Sequence, residues 1–216
     1  MLTYRRYSPV AFDRKPAETE RRGDWLVVLR YENEGNGPHL IDLSHREKWD
    51  VQSGDLSKVP VARGAIPAIP GRVSVEGGLL ASRMNRTQAA LWRLWGESVE
   101  APQEPAYTET TDGIALLALV GKGVFSILEK ACPLDLAPPG ESAPYLVQGP
   151  VFHIPCQIVV LEKDPDAGGV LIGFSRGYGQ AMAEAFLEAG AESGLSPAGE
   201  AAFADWVKGY SKACNT

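Results

Sequence analysis

The strongest constraint on the fold lies in the second half of the chain, where apolar segments change period in a fixed order. Gly113 to Val120 (GIALLALV) is apolar almost throughout, the mark of a strand buried on both faces. Gly121 and Gly123 lead into a segment whose Val124, Ile127, Leu128 and Ala131 share one helical face, and Pro133 stops it. A strand from Val151 to Leu161 and another from Val170 to Phe174 follow. From about Arg176 the spacing predicts an amphipathic helix. Its apolar stripe is Tyr178, Ala181, Met182, Ala185, Phe186 and Ala189, and Gly190 supplies its break. Ser196-Pro197 reads as a cap and first-turn proline of a last helix that turns Phe203, Trp206, Val207 and Tyr210 inward. Strand–helix–strand–strand–helix is the order of a split βαβ sandwich.

The first half is less periodic. Residues 1–24 are polar, of mixed charge, and read as an arm, either mobile or laid on a partner. Short strands are expected at Trp25–Tyr31, His39–Ser44 and Lys48–Gln52, the first two separated by the turn-rich ENEGNGP. Lys58 to Val75, with Pro60, Pro67 and Pro70, reads as an extended connector. Gly78 to Trp95 fits either a helix around Ala89–Trp95 or a two-stranded hairpin. The polar, proline-bearing stretch 97–106 is the candidate boundary between lobes. The expected fold is α+β: an arm (1–24), an N-terminal α/β lobe (25–106), and a C-terminal ferredoxin-like lobe with a terminal helix (107–216).

With 44% hydrophobic and 22% charged residues, 216 residues can bury an ordinary core. A net charge of −6 supplies no overall positive field, so nucleic acid is not the expected partner. Cys132, Cys156 and Cys214 are widely spaced and odd in number, unlike a disulfide framework. The arginine-bearing start has no apolar run behind it, and no segment reaches the ~20 apolar residues that span a bilayer. These features imply a cytoplasmic chain without membrane contact.

Several motifs invite a chemical reading. Gly173-Phe174-Ser175-Arg176-Gly177 matches G-x-S-x-G at a strand-to-helix turn, but His39, His45 and His153 all precede Ser175, the reverse of the order that fold uses. Glycines relieving a tight turn explain the motif better. With Gly179 the same turn gives part of a phosphate-binding fingerprint, left incomplete by Met182, and Gly121-Lys122-Gly123 lacks the spacing of a P-loop. His153 and Cys156 stand at i and i+3 on a strand, so they face opposite sides and make a poor metal pair. Cys132 has no histidine near it in sequence and reads as a small core residue. Asp42 with His45 is either an acid–base pair or a surface turn. No catalytic or metal-binding residue is assigned on this basis, and cofactor-binding residues stay unknown.

Ile41-Asp42-Leu43-Ser44-His45 with Trp49-Asp50-Val51, Gly77-Gly78-Leu79-Leu80, and Thr111–Lys130 resemble, in order, three segments of the glycine-cleavage T-protein family of folate-binding aminomethyltransferases. The Cys132-Pro133-Leu134-Asp135-Leu136 run, Ser175-Arg176, and the helix ending in Glu188-Ala189-Gly190-Ala191-Glu192 resemble the gamma subunit of sarcosine oxidase. The resemblance implies a two-lobed, folate-binding-type fold and a place in one-carbon and amine metabolism. It also implies flavoprotein alpha and beta chains as partners, met by the arm and by Trp25, Trp49, Trp92 or Trp95. One departure matters. Where the transferases carry an aspartate after G-G-I-I, this chain has Ala81 and Ser82, which cannot stabilise a developing iminium cation. The expectation is a non-catalytic subunit with no confidently bound cofactor. The alternative is a stand-alone aminomethyltransferase-like protein that binds tetrahydrofolate in a concave, mostly apolar pocket.

Overall fold

A computed structural model describes residues 5–96 and 102–213. Residues 1–4 of the expected arm, 97–101 of the expected boundary, and Cys214 lie outside the described residues. In chain order the strands are β1 (Pro16–Arg22), β2 (Trp25–Tyr31), β3 (His39–Asp42), β4 (Lys48–Gln52), β5 (Val73–Glu76), β6 (Leu79–Arg83), β7 (Gln88–Arg93), β8 (Tyr107–Glu109), β9 (Ile114–Val120), β10 (Tyr145–Val151), β11 (Ile154–Glu162), β12 (Gly169–Ser175) and β13 (Ser196–Ala198). The helices are α1 (Val124–Ala131), α2 (Gly179–Gly190) and α3 (Glu200–Ala213). The fold is mixed α+β and mostly sheet.

The apolar run of β9 places it in the middle of the fold. It lies between β12 and β3 in a six-stranded sheet of order β10-β11-β12-β9-β3-β13. Its odd residues Ala115, Leu117 and Leu119 pack under α1 and α2, against Val124, Ile127, Met182 and Phe186. Its even residues Leu116, Ala118 and Val120 face the other way, onto Leu80, Trp92 and Leu94 of a second, five-stranded sheet and onto Phe203 and Val207 of α3. A strand covered on both faces has no position left for a polar side chain, hence the unbroken run. The second sheet, of order β5-β6-β7-β4-β8, buries its far face (Trp49, Val51, Leu79, Ala81, Leu91) under Leu56 and under Val59, Val61 and Ile66 of the proline-rich connector.

Three expectations change on inspection. First, the sheets do not divide at 106/107. β3 from the first half sits inside the six-stranded sheet between β9 and β13, and β8 from the second half edges the other sheet against β4. Second, the segment expected as one strand from Val151 to Leu161 begins at a hairpin. Phe152 and His153 take positive φ (45° and 67°) and join β10 to β11. The added strand makes β10, which follows α1, antiparallel to β9. The parallel crossover is instead β12–α2–β13, which skips β9 and β3. Third, Ser196-Pro197 forms strand β13 against His39 and Leu40, and the helix begins later, at Glu200. The ambiguous 78–95 segment is the β6–β7 hairpin.

The apolar stripe of α2 is also rotated from the expected one. Gly179, Met182, Ala183, Phe186 and Gly190 are buried, whereas Tyr178 precedes the helix and is exposed. Gly190 serves packing, since a Cβ there would stand 2.5 Å from the Leu195 side chain; the left-handed φ belongs to Gly194 (74°). The arm is folded onto its own chain. Val10 enters the core, Pro9 rests on Gly179, and Ala11 exchanges hydrogen bonds with Gln180 at 2.8 and 3.1 Å. Residues 16–22 pair with β2 as a two-stranded ribbon. Trp49 and Trp92 are buried in this chain's own core, and Trp25 is buried outside those clusters.

Trp92 explains the first glycine of G-x-S-x-G. A Cβ on Gly173 would lie 2.7 Å from the Trp92 ring, which is packed between the two sheets, while Ser175 is exposed at the end of β12. Gly173→Ala is therefore expected to cost about 1–3 kcal/mol through overpacking, and Ser175→Ala to stay within about 0.5 kcal/mol of the native chain. Urea denaturation of both variants checks this, and equal stability of the two would contradict the packing.

Candidate functional site

The best-formed polar site grows from the turn that follows β3. Asp42 Oδ1 accepts from the Ser44 amide (2.9 Å), and its other oxygen accepts from the Ser8 hydroxyl of the arm. Ser44 Oγ accepts from the Leu116 amide (3.1 Å), pinning the turn to β9. Inside the turn the Lys48 ammonium, fully buried, donates to the carbonyls of Ser44 (2.8 Å) and Arg46 (2.7 Å). Burial brings the Lys48 amine down to about 7, partly opposed by Asp42 and Asp112. This clamp fixes the backbone that presents His45 and Arg46.

Both side chains meet Glu200, the first residue of α3. Its carboxylate is 4% exposed and takes His45 Nε2 at 3.0 Å, Arg22 Nη1 at 2.5 Å, and Arg46 Nη2. One acid thus joins the β1 end, the β3–β4 turn and α3, at a helix N-terminus where negative charge is favoured. Burial alone would raise the carboxyl's pKa. The His45 hydrogen bond and the Arg46 and Arg22 charges outweigh it and hold it at about 2.

Beside this cluster opens a cleft of about 670 Å³. Arg6, Arg22, Arg46 and Arg93 line it together with His45, Trp25 and Thr111, and the acids Asp24, Glu47 and Glu109 complete the wall. The Trp25 ring is met by two guanidinium groups, Arg6 at 5.9 Å and Arg176 at 5.8 Å from its centroid. Arg6 also pairs with Asp112 (3.3 Å), and Arg93 lies 3.7 Å from Glu47.

The residues singled out from sequence fall elsewhere or in other roles. Asp42 and His45 belong to one turn, but His45 turns to Glu200 and Asp42 to Ser8 and Ser44, so the expected pair is not formed. The amides of Gly121 and Gly123 are taken by the carbonyls of Gly168 (2.8 Å) and Pro165 (3.0 Å), leaving no anion cradle. The start of α2 is covered by Pro9. His153 occupies the β10–β11 turn, while Cys156 is buried on β11, where burial pushes its thiol up to about 11. Cys132 is buried and free. Among the described residues no group of three or more histidines, cysteines or acids is placed to hold a metal ion. Ala81 and Ser82 are buried in β6; Ser82 Oγ donates to the Ala90 carbonyl (3.2 Å), and neither residue lines the cleft. Sequence reasoning missed Glu200, Lys48, Arg22 and Arg93. Glu200 reads as an ordinary first-turn acid, and nothing local marks it as the partner of residues more than 150 positions away.

No family model and no curated protein matches the sequence. Among solved structures, a chain of the heterotetrameric sarcosine oxidase from Corynebacterium sp. U-96, in complex with pyrrole 2-carboxylate, is similar in fold. The TM-score is 0.55 and the identity 16%, over 71% of this chain and 83% of that one. The chain therefore has a sarcosine oxidase-related fold. Among the described residues no helix is long and apolar enough to cross a membrane.

The cluster has two pH signatures. The Glu200 carboxyl, at about 2 when folded against 4.5 ordinarily, contributes stability that is complete above 4.5 and lost as pH falls toward 2. Glu200→Gln is expected to cost about 3 kcal/mol at neutral pH, with the difference closing in acid unfolding near pH 2. Lys48 runs the other way. Above about 7 the folded chain has released a proton that the unfolded chain keeps to about 10.5, so stability due to Lys48 rises with pH across that window. The slope is at most about 1.4 kcal/mol per pH unit. Urea midpoints from pH 7 to 9 will rise more steeply in the native chain than in Lys48→Met; parallel curves would contradict the buried amine.

Proposed function

We propose that this chain is a non-catalytic, gamma-like subunit of a heteromeric sarcosine oxidase-type complex in one-carbon and amine metabolism. The observation that carries this reading is the fold likeness to a chain of a heterotetrameric sarcosine oxidase. The likeness takes in most of both chains, 71% of this one and 83% of the other, which supports a subunit-sized counterpart. Ala81 and Ser82 support the non-catalytic part, because a methyl and a hydroxyl cannot offset the positive charge that builds on a reacting amine. In this reading the redox chemistry resides on flavoprotein alpha- and beta-type chains. The large apolar side chains left exposed here, Tyr7, Leu26, Ile69 and Tyr178, are available for docking to them.

The cleft gives a second reading some support. Its volume suits a ligand, and Glu47 and Glu109 place carboxylates on its wall. A stand-alone tetrahydrofolate-binding aminomethyltransferase-like protein would use such a space. Its lining, however, is four arginines and three acids around one tryptophan, unlike the mostly apolar pocket a pterin ring favours. Affinity capture of the tagged chain from native extract is expected to bring down flavin-bearing chains. Recovery of the chain alone would sink the subunit reading. A heat of binding with tetrahydrofolate that free glutamate does not reproduce would favour the second.

A further inference from the structure

We propose that the arginine-lined floor of the cleft binds the oxyanion, a carboxylate or a phosphate, of a small molecule. The inference stands whether the chain is a subunit or acts alone. Four separate segments deliver guanidinium groups to one space: the arm (Arg6), the end of β1 (Arg22), the β3–β4 turn (Arg46) and the end of β7 (Arg93). Of the acids on the wall, Asp24 and Glu109 are exposed to water, and Glu47 lies 3.7 Å from Arg93. Deeper in, Glu200 is the buried acid, and it is shared by Arg22, Arg46 and His45.

The donor account of the arginines shows where a ligand would bind. Arg22 is committed, with Nε on Glu20 (2.7 Å) and Nη1 on Glu200. Arg46 reaches Glu200 through Nη2, and its buried Nε–H has no acceptor among the described residues. Arg6 reaches Asp112 through Nη2, and its buried Nε–H likewise has none. A guanidinium carries five N–H donors in a planar fork that suits two oxygens of one carboxylate or phosphate. Burial draws Arg46 below the ordinary guanidinium value; Glu200 opposes this, while Arg22 and Arg93 add to it by repulsion. An incoming anion relieves that repulsion and meets the parts of Arg6 and Arg46 that stay open, since their side chains keep 32% and 17% of their surface exposed. The Trp25 ring, in contact with Arg6 and Arg176, walls the same space, and about 670 Å³ holds more than the anionic group alone.

Thermal unfolding at constant ionic strength, with succinate and with inorganic phosphate as probes and chloride as the reference salt, tests the proposal. At least one probe is expected to raise Tm along a saturating curve, by roughly 3 °C once its concentration is about tenfold above Kd. Arg6→Gln, at a position about one-third exposed and outside the Glu200 cluster, and Arg46→Gln should each weaken that probe at least tenfold. Response to succinate alone assigns a carboxylate ligand, and response to phosphate alone assigns a phosphate. General salting effects raise Tm without saturation and act equally on native chain and variant. A rise that does not saturate, a rise unchanged in Arg6→Gln, or no rise with either probe would overturn the proposal.

Discussion

One buried carboxylate ties together the parts of this molecule that sheet pairing alone does not. Glu200 begins α3, and its two oxygens hold the end of the β1–β2 ribbon through Arg22 and the β3–β4 turn through His45 and Arg46. A buried acid is costly unless its charge is matched by hydrogen-bonded partners. Here three cationic or hydrogen-bonding groups answer it, which keeps it ionised well into the acid range. The backbone below is prepared for that role: Lys48 clamps the turn from inside, and Ser44 ties it to β9.

The layered core sets where the cleft can open. Helices α1 and α2, the six-stranded sheet, the five-stranded sheet with α3 beside it, and the proline-rich connector follow one another across the molecule, each interface filled by apolar side chains. The cleft forms at one end, where the ribbon, the β3–β4 turn, the end of β7 and the approach to β9 converge without closing. Its walls are charged because these segment ends lie outside the layers. Ala81 and Ser82 pack inside β6 and hold no part of the cleft, so its charged walls are set by other segments.

What the sequence disclosed follows from range. β9 and α1 were legible because a doubly buried strand and a one-faced helix each leave a local period. Gly121 and Gly123 do take the positive φ of a turn, but Gly173 lies inside β12 without one, and its reason is Trp92, more than 80 residues away. The β10–β11 hairpin was not legible: Phe152 and His153 carry the positive φ without the Asn or Gly that usually signals such a turn. Ser196-Pro197 carried a helix-start pattern, and parallel pairing with β3 overrode it. The arm read as mobile or laid on a partner because its contacts, Ser8 with Asp42 and Pro9 with Gly179, are to distant residues of its own chain. The site was least legible of all. His45 stood out only beside Asp42, while Arg22, Arg46 and Glu200 are unremarkable charges in sequence, and only the crossing of β1, the β3–β4 turn and α3 makes them a cluster.

Amide hydrogen exchange on Glu200→Gln probes the central role given to that carboxylate. If Glu200 is the tie, protection will fall in the β1–β2 ribbon and in residues 43–47, while β9 and β12, held by their own sheet and core, keep theirs. Unchanged protection in the ribbon and turn, or uniform loss across β9 and β12 as well, would contradict the account.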